Sequence, residues 1–343
     1  MLTLDLEDAR WRQLVATHPR AGPFHHPAWA RTIADVYRFR PFVAAVEDAK
    51  GTLAAGIPVI EVPAFPRGRR WVSLPFTDHC APLASSPAAL SELVGSVGSV
   101  PPADGLRRVE IRSAVPNAPN HPVAVLHELR LSGDPTELFA RFHASQIRRG
   151  IRKAERDGRV RVREATRRED VTKSFLELHL QTRRRQGVPL QPMRLFELLW
   201  QRLHPTGLAR TLIAELDGRP IAAAMFLRFG GTVVYKYGAS APEHWRERPN
   251  HLIFWRAIQD ACAAGDRCLD LGRSDPDNAG LRAFKSNWAA QERPLLYTAI
   301  PASAPAGRGA PQNVGRRVLS TTIRRSPPVV CRALGAVLYR YAA

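Results

Sequence analysis

The chain has 343 residues, of which 45% are hydrophobic and 24% charged, and its formal net charge is +19. These proportions are typical of a globular protein with room for two domains, and they exclude a disordered or fibrous chain. No run of about 18 apolar residues occurs, so we expect no membrane-spanning helix.

The basic charge is clustered rather than evenly spread. Between Arg148 and Arg168 ten basic residues stand against three acids, and from Pro301 to Ala343 there are seven arginines and no acid. Such clusters favour phosphate-rich partners: RNA, nucleotide-linked substrates or an anionic membrane face. The first residues lack the apolar core of a signal peptide, and the four cysteines have no metal-binding spacing. We therefore predict a cytoplasmic protein with reduced thiols.

In the first third of the chain, the patterns predict two helices followed by a sheet. An amphipathic helix within residues 1–22 places Trp11 and Leu14 on its apolar side, and a second helix ends before Pro41. Residues 42–62 alternate as a hairpin around a glycine-containing turn. The remaining predicted elements are strands over Arg69–Pro75, Leu106–Arg112 and Val123–Leu131, and a helix over Pro87–Val97.

The same order of elements recurs about 168 residues later. Residues 211–229 form a second predicted hairpin, followed by a strand over 231–240, a helix over 250–264 and a strand over 268–274. The second strands of the two hairpins also agree locally, because Ala54-Ala55-Gly56 corresponds to Ala222-Ala223-Ala224. We interpret the chain as two copies of one α/β unit with mixed sheets.

This repeat divides the chain into four predicted segments. They are a first unit (1–132), connecting basic helices (133–160), a second unit with the candidate reactive stretch (161–300), and a linker with an amphipathic tail (301–343). The apolar part of the tail is framed by Arg332 and Arg340 and is too short to span a bilayer. Two alternatives stay open for it: contact with an anionic membrane at its inner face, or docking on the protein's own surface.

Residues 268–290 are the strongest candidate for a functional stretch. A buried strand ends in Gly-Arg-Ser, a polar loop follows, and a helix beginning near Gly280 carries Phe284, Lys285 and Trp288 close together. Backbone donors and Arg273 at one sheet edge, with Lys285 returning towards them, suit an anionic or developing negative group. Turn and cap chemistry explains the Asp275–Asn278 loop without a metal.

Other side chains are candidates for binding substrate, each with a plainer alternative. Arg273 suits a phosphate or carboxylate ligand, or else a salt bridge to a nearby aspartate. Tyr235 and Tyr237 alternate with Lys236 on a predicted strand, so we expect them on one face, lining an acceptor groove or packing in a core. Asn250 is expected to open the following helix.

A basic helix in the connecting segment is a further candidate. Its charges form one broad cationic face, which suits precursor phosphates or a tRNA backbone, or is simply a solvated surface. The residues on this face are Arg148, Arg149, Arg152 and Lys153.

Several stretches together resemble the Fem-type (FemAB-like) branch of the GNAT superfamily, which includes peptidoglycan-bridge aminoacyltransferases and BioF2-like acetyltransferase-domain proteins. The resemblance covers roughly residues 20 to 300 and implies two tandem GNAT-like units, in agreement with the repeat. The stretches that carry it are 145–158, 182–192, 235–240, 248–258, 270–274 and 280–289.

The resemblance implies an acyltransferase that forms an amide on an amine of a peptidoglycan or exopolysaccharide precursor. It places Phe284 and Lys285 at the reaction centre, with Lys285 steadying negative charge. Since no nucleophile motif occurs in the sequence, we expect catalysis by positioning and electrostatics, without a covalent intermediate.

The donor is expected to be either aminoacyl-tRNA or acyl-CoA, with no tightly bound cofactor and no metal. Ordinary GNAT enzymes hold coenzyme A with a glycine-rich loop, whereas residues 245–254 contain no glycine. This departure favours a different donor, so tRNA is a candidate partner. Two alternatives remain: an acyl-CoA-dependent N-acyltransferase acting on an amino sugar or small amine, and a non-catalytic RNA- or membrane-binding module.

Overall fold

A computed structural model describes residues 1–64, 68–100, 105–301, 314–325 and 327–339. The chain forms two compact units: Met1–Val125 with Pro294–Pro311 and Tyr341–Ala343, and Leu126–Arg293 with Gln312–Arg340. We call them unit 1 and unit 2. Within the described ranges, no helix is both long and apolar enough to cross a membrane.

The first part of the chain, up to the seventh strand, supplies most of unit 1. Its elements are β1 (Leu2–Leu4), α1 (Ala9–Thr17), α2 (Pro27–Tyr37), β2 (Arg40–Glu47), β3 (Leu53–Pro63), β4 (Arg69–Val72), β5 (Leu83–Ala84), α3 (Pro87–Gly98), β6 (Leu106–Ile111) and β7 (Asn120–Arg130).

The remaining elements belong mostly to unit 2. They are α4 (Pro135–Arg141), α5 (Arg149–Asp157), β8 (Val160–Glu164), α6 (Leu176–Gln186), α7 (Met193–Leu198), β9 (Ala209–Leu216), β10 (Arg219–Phe229), β11 (Thr232–Ser240), α8 (Pro249–Ala263), β12 (Cys268–Ser274), α9 (Ala279–Ser286), β13 (Gln291–Ile300), α10 (Val314–Arg325) and α11 (Pro328–Leu338). Wider π-type turns precede α5 and α6 and follow α7.

The predicted repeat is confirmed strand by strand. In unit 1 the hairpin β2–β3 is followed by β4, which pairs antiparallel with β3 and parallel with β6 across α3. In unit 2 the hairpin β9–β10 is followed by β11, which pairs antiparallel with β10 and parallel with β12 across α8. Each unit therefore contains a mixed sheet, as the predicted α/β class requires.

The amino-terminal prediction needs one correction. Residues Leu2–Leu4, placed in a helix by the sequence analysis, form β1 and pair antiparallel with β2. The helix α1 begins only after Asp8, whose side chain accepts a hydrogen bond from the Arg10 amide. Trp11 is fully buried, as expected, and lies against Gly56 of β3. Leu14 is only half-buried.

The core of unit 2 lies between one sheet face and the helices α4, α5 and α8. Apolar residues of β9, β10, β11 and β12 alternate onto this face, among them Leu212, Ala224 and Leu269. An aromatic cluster that includes Phe142, Phe254 and Trp288 fills the space beneath the helices, with ring centroids of neighbouring members 5.2–5.4 Å apart.

The carboxyl-terminal helices α10 and α11 pack on α6 in unit 2. This packing corresponds to docking on the protein's own surface, one of the two alternatives predicted for the tail. The Leu190 amide donates to the Cys331 carbonyl over 3.3 Å, and Arg183 donates to the Tyr339 hydroxyl over 2.6 Å. The predicted linker falls largely on residues 302–313, which lie outside the described residues, as does Arg340.

Gly335 is where α11 comes closest to the rest of unit 2. A Cβ at this position would lie 1.7 Å from the carbonyl oxygen of Leu190, and a backbone atom cannot give way. We expect Gly335→Ala to detach α11, which hydrogen exchange would detect as faster exchange of the amides of residues 330–338.

Gly95→Ala is the matched control, because Gly95 also lies in a helix but a Cβ there meets nothing within 4 Å. That change should stabilise the protein slightly, by about 0.5–1 kcal/mol. If exchange in the α11 amides is the same in both variants, the docking contact is wrong.

Candidate functional site

The pairing of the parallel strands β11 and β12 in the sheet of unit 2 ends partway along both strands, and we call the gap beyond this point the cleft. Their pairing runs from Thr232 opposite Cys268 to Val234 opposite Asp270. Beyond this point β11 continues to Ser240 in contact with β10, and β12 continues to Ser274. The carboxyl-terminal halves of the two strands thus border an opening, the position at which α/β sheets bind ligands.

A β-bulge separates the two tyrosines of β11, which corrects the prediction that they share a face. Met225 of β10 lies opposite Tyr237 and Phe226 lies opposite Tyr235, so Lys236 is the extra residue. An extra residue reverses the alternation of side chains along a strand.

The two tyrosine rings consequently contact different helices. Tyr235 packs against Phe254 of α8, with ring centroids 4.8 Å apart, whereas Tyr237 packs against His179 of α6 at 5.7 Å. Burial raises the pKa of Tyr235 to about 12, so its phenol stays protonated at neutral pH. Burial lowers the pKa of His179 to about 4, so its imidazole stays neutral.

Gly238 gives Tyr235 its position, a role that sequence reasoning missed. A Cβ at Gly238 would lie 1.6 Å from the Tyr235 hydroxyl oxygen, so only glycine leaves room for the phenol. The available signal was a glycine inside an otherwise regular strand, which marks a bulge or a close approach.

Lys285 and Phe284 lie on α9, which returns along β12. The Lys285 side chain is 4% exposed, and its ammonium donates to the carbonyl oxygens of Gly272 and Arg273 over 2.8 and 2.9 Å. It therefore ties α9 to the end of β12 and holds a buried positive charge there. Phe284 is half-buried and packs edge-on against Phe254, with centroids 5.9 Å apart.

The end of β12 is shaped by Gly272, whose φ of +75° lies in the left-handed region. Its amide donates a hydrogen bond to the Asp270 carboxylate over 2.7 Å. Arg273 follows with an exposed side chain. Ser274 is 1% exposed, and its hydroxyl has no hydrogen-bond partner among the described residues. Sequence reasoning did not single out Ser274.

The loop after β12 has the turn and cap chemistry that the sequence predicts. The Asp275 carboxylate accepts from the Asp277 amide over 3.0 Å, and the Asn278 side chain caps α9 by accepting from the Leu281 amide.

His127 is a third residue that the sequence analysis missed. It lies on β7, the neighbour of β12, is fully buried, and has its Nε2 3.0 Å from a carboxylate oxygen of Glu292. Its pKa is lowered, first by burial and then by the positive charge of Lys285, while Glu292 acts in the opposite direction. The imidazole is therefore a neutral neighbour of the Lys285 ammonium.

The start of α8 lies beyond the end of β11. The helix begins at Pro249, so Asn250 is its second residue rather than its first. Arg248 precedes it with a φ of +56° and provides no side-chain cap. The connecting residues Pro242–Glu247 form a short 3₁₀ helix instead of a glycine-rich loop.

The basic helix α5 packs its apolar side onto α8. Ile147 and Ile151 are buried, Gly150 lies against the His251 ring, and His251 Nε2 is 2.9 Å from the Gln146 carbonyl oxygen. Of the four predicted cations, Arg148 is half-buried, and the other three, Arg149, Arg152 and Lys153, are exposed. The cationic face is thus open to solvent over most of its charges.

The predicted residues fall into three groups. Tyr235 and Phe284 both pack against Phe254. Lys285 follows Phe284 on α9. Arg273 belongs with them, because its carbonyl is one of the two that accept from the Lys285 ammonium. Tyr237 packs on the other face of the sheet. Asn250 is in the first turn of α8, and α5 packs against that helix.

Comparison with known proteins identifies the domain that contains this cleft. Residues 141–286 match the Acetyltransferase (GNAT) domain family, and this range includes every predicted site residue. No curated protein matches the sequence.

Solved structures share the fold at low sequence identity. FemX is 17% identical, with a TM-score of 0.70 over 88% of this chain and 98% of that one. The C-terminal domain of a predicted lysylphosphatidylglycerol synthetase from Agrobacterium fabrum is 12% identical, with a TM-score of 0.55 over 88% and 92%. L-PGS from Bacillus licheniformis is 12% identical, with a TM-score of 0.52 over 95% and 100%.

The FemX fold and the GNAT match agree with the fold class and the resemblance that the sequence predicts. The chain is thus an acyltransferase with a GNAT domain at residues 141–286 and the overall fold of FemX.

Proposed function

We propose that the protein transfers an aminoacyl or acyl group to an amine of a cell-envelope precursor, and that it forms the amide without a covalent enzyme intermediate. The observation that carries this proposal is the buried ammonium of Lys285 at the end of β12, beside the cleft. The fold shared with FemX supports the choice of an envelope precursor.

Direct transfer requires an acceptor amine, a donor carbonyl and a stabiliser for the tetrahedral oxyanion. The amine nitrogen attacks the acyl carbon, loses a proton, and the donor's hydroxyl or thiol leaves with a proton. Backbone groups of β11 beyond Val234 and the buried charge of Lys285 would stabilise the oxyanion. Tyr235 stays protonated and can donate a hydrogen bond to the leaving group.

The cysteine of β12 is a poor candidate for a covalent nucleophile. Burial, with lesser contributions from Glu128 and Asp270, raises the pKa of the Cys268 thiol to about 12. Because the thiolate is the reactive form, the thiol is essentially unreactive at neutral pH. This supports direct transfer from donor to acceptor.

We propose aminoacyl-tRNA as the donor, with the exposed cations of α5 contacting its phosphates. The segment before α8 contains arginines and a short 3₁₀ helix but no glycine, so its backbone cannot approach a pyrophosphate as closely as a glycine-rich loop does. An acyl-CoA donor is the second candidate, and the match to an acetyltransferase domain favours it.

A donor screen tests this proposal. Charged tRNA and acetyl-CoA are each supplied with a nucleotide-linked peptidoglycan precursor or with glucosamine, and the amide product is measured by mass spectrometry. We expect product from charged tRNA and the precursor. Product and thermal stabilisation with acetyl-CoA alone would replace our first candidate by the second, and no product in any combination would refute both.

A further inference from the structure

Trp245 is the most exposed tryptophan among the described residues. Its side chain is 47% exposed, whereas Trp11, Trp29, Trp71, Trp255 and Trp288 are at most 9% exposed and Trp200 is half-buried. It lies in the 3₁₀ segment Pro242–Glu247, between the end of β11 and the start of α8. This large apolar surface therefore stands at the carboxyl end of the strand that borders the cleft.

Polar contacts hold the indole in place. Its Nε1 donates to the Ser240 hydroxyl over 3.0 Å, and the guanidinium carbon of Arg185 lies 5.0 Å from the ring centroid. Arg185 is itself held by the Ser240 carbonyl over 3.3 Å, and Ser240 is bonded to Thr182 of α6. A ring fixed before binding loses little conformational entropy when a ligand stacks on it.

Positive charge lies close to this ring. Arg246 lies in the same segment and Arg248 directly follows it, and both are exposed. The segment also carries Glu243 and Glu247. Together with Arg185, the three arginines outnumber the two carboxylates. An aromatic face next to arginines matches the two parts of a nucleotide, its base and its phosphate.

We propose that Trp245, backed by Arg185, is a stacking platform for the nucleobase of a nucleotide-linked substrate. Arg246 and Arg248 hold the adjoining phosphate. This inference rests on the proposed function, because aminoacyl-tRNA, acyl-CoA and nucleotide-linked precursors all carry a base next to phosphate. Stacking accepts any base, so the platform itself does not choose among the three.

Direct binding to the full-length protein, without any transfer reaction, tests the platform. Isothermal titration compares four probes: the trinucleotide CCA, coenzyme A, UDP, and ribose 5-phosphate as the probe without a base. We expect at least one nucleotide to bind about 5- to 150-fold more tightly than ribose 5-phosphate, which is the range typical of base stacking. The nucleotide with the highest affinity then indicates whether tRNA, coenzyme A or the precursor is the source.

Three variants make the assignment specific. Trp245→Ala should abolish the advantage of nucleotides over ribose 5-phosphate, whereas Trp245→Phe should retain most of it. Met193→Ala is the matched control, because Met193 is also 47% exposed, and it should change nothing. Equal affinity for nucleotides and ribose 5-phosphate in the unaltered protein, or unchanged affinities in Trp245→Ala, would overturn the platform.

The stacking platform and the proposed transfer function can be refuted independently of each other. If transfer is found in the donor screen but nucleotide affinity does not depend on Trp245, the platform is wrong and the function stands. If nucleotides bind through Trp245 but no donor and acceptor give product, the platform stands and the proposed function is wrong.

Discussion

Replacing Lys285 with methionine is expected to lower kcat/KM for transfer by at least about 100-fold, the loss typical of removing one stabiliser of an oxyanion. It should also lower the free energy of unfolding by about 1–3 kcal/mol, because two buried carbonyls lose their donor. Both effects share one cause: the same ammonium binds the Gly272 and Arg273 carbonyls and places positive charge beside the cleft. Methionine keeps the volume of the side chain, so packing contributes little.

Urea unfolding and steady-state transfer rates of the same preparation separate the two effects. Ser286→Ala is the matched control, because Ser286 is exposed on the same helix, and both quantities should stay near those of the unaltered protein. A Lys285→Met protein that is destabilised but still transfers at the full rate would show that Lys285 only ties α9 to β12.

Gly238→Ala is expected to displace the Tyr235 ring and to lower the free energy of unfolding by about 1–3 kcal/mol, as overpacking does. The new Cβ would lie 1.6 Å from the phenol oxygen and 2.6 Å from the ring carbon that carries it. The ring has little room to move, because it packs between Phe226 and Phe254 at centroid distances of 5.7 and 4.8 Å. We therefore also expect at least a 10-fold loss of transfer rate.

A double-mutant cycle gives this prediction its decisive measurement. In a Tyr235→Ala background, the added Gly238→Ala change should cost almost nothing, because the atoms it would strike are gone. The coupling between the two sites should then be about 1–3 kcal/mol. Gly133→Ala serves as control, since a Cβ there meets nothing within 4 Å. Additive effects would contradict the contact between Gly238 and the phenol.

Local patterns predicted most of the helices and strands, because the information lies within a few residues. The Asp217-Gly218 turn illustrates this: both residues adopt a positive φ, 51° and 75°, as a two-residue hairpin turn requires. The three-residue strand β1 shows the opposite case. Its length carries no periodic signal, and its partner β2 begins 36 residues after β1 ends.

In the candidate site, too, some features follow from local sequence and others depend on contacts between distant segments. Sequence alone determined the duplicated α/β order, the strand–loop–helix stretch that ends β12 and begins α9, and the basic face of α5, since each depends on spacing along one segment. Tertiary structure alone decided that Tyr235 and Tyr237 contact different helices, because the bulge depends on the register between β10 and β11. It also decided that Lys285 is buried, because two carbonyls of another element bind its ammonium.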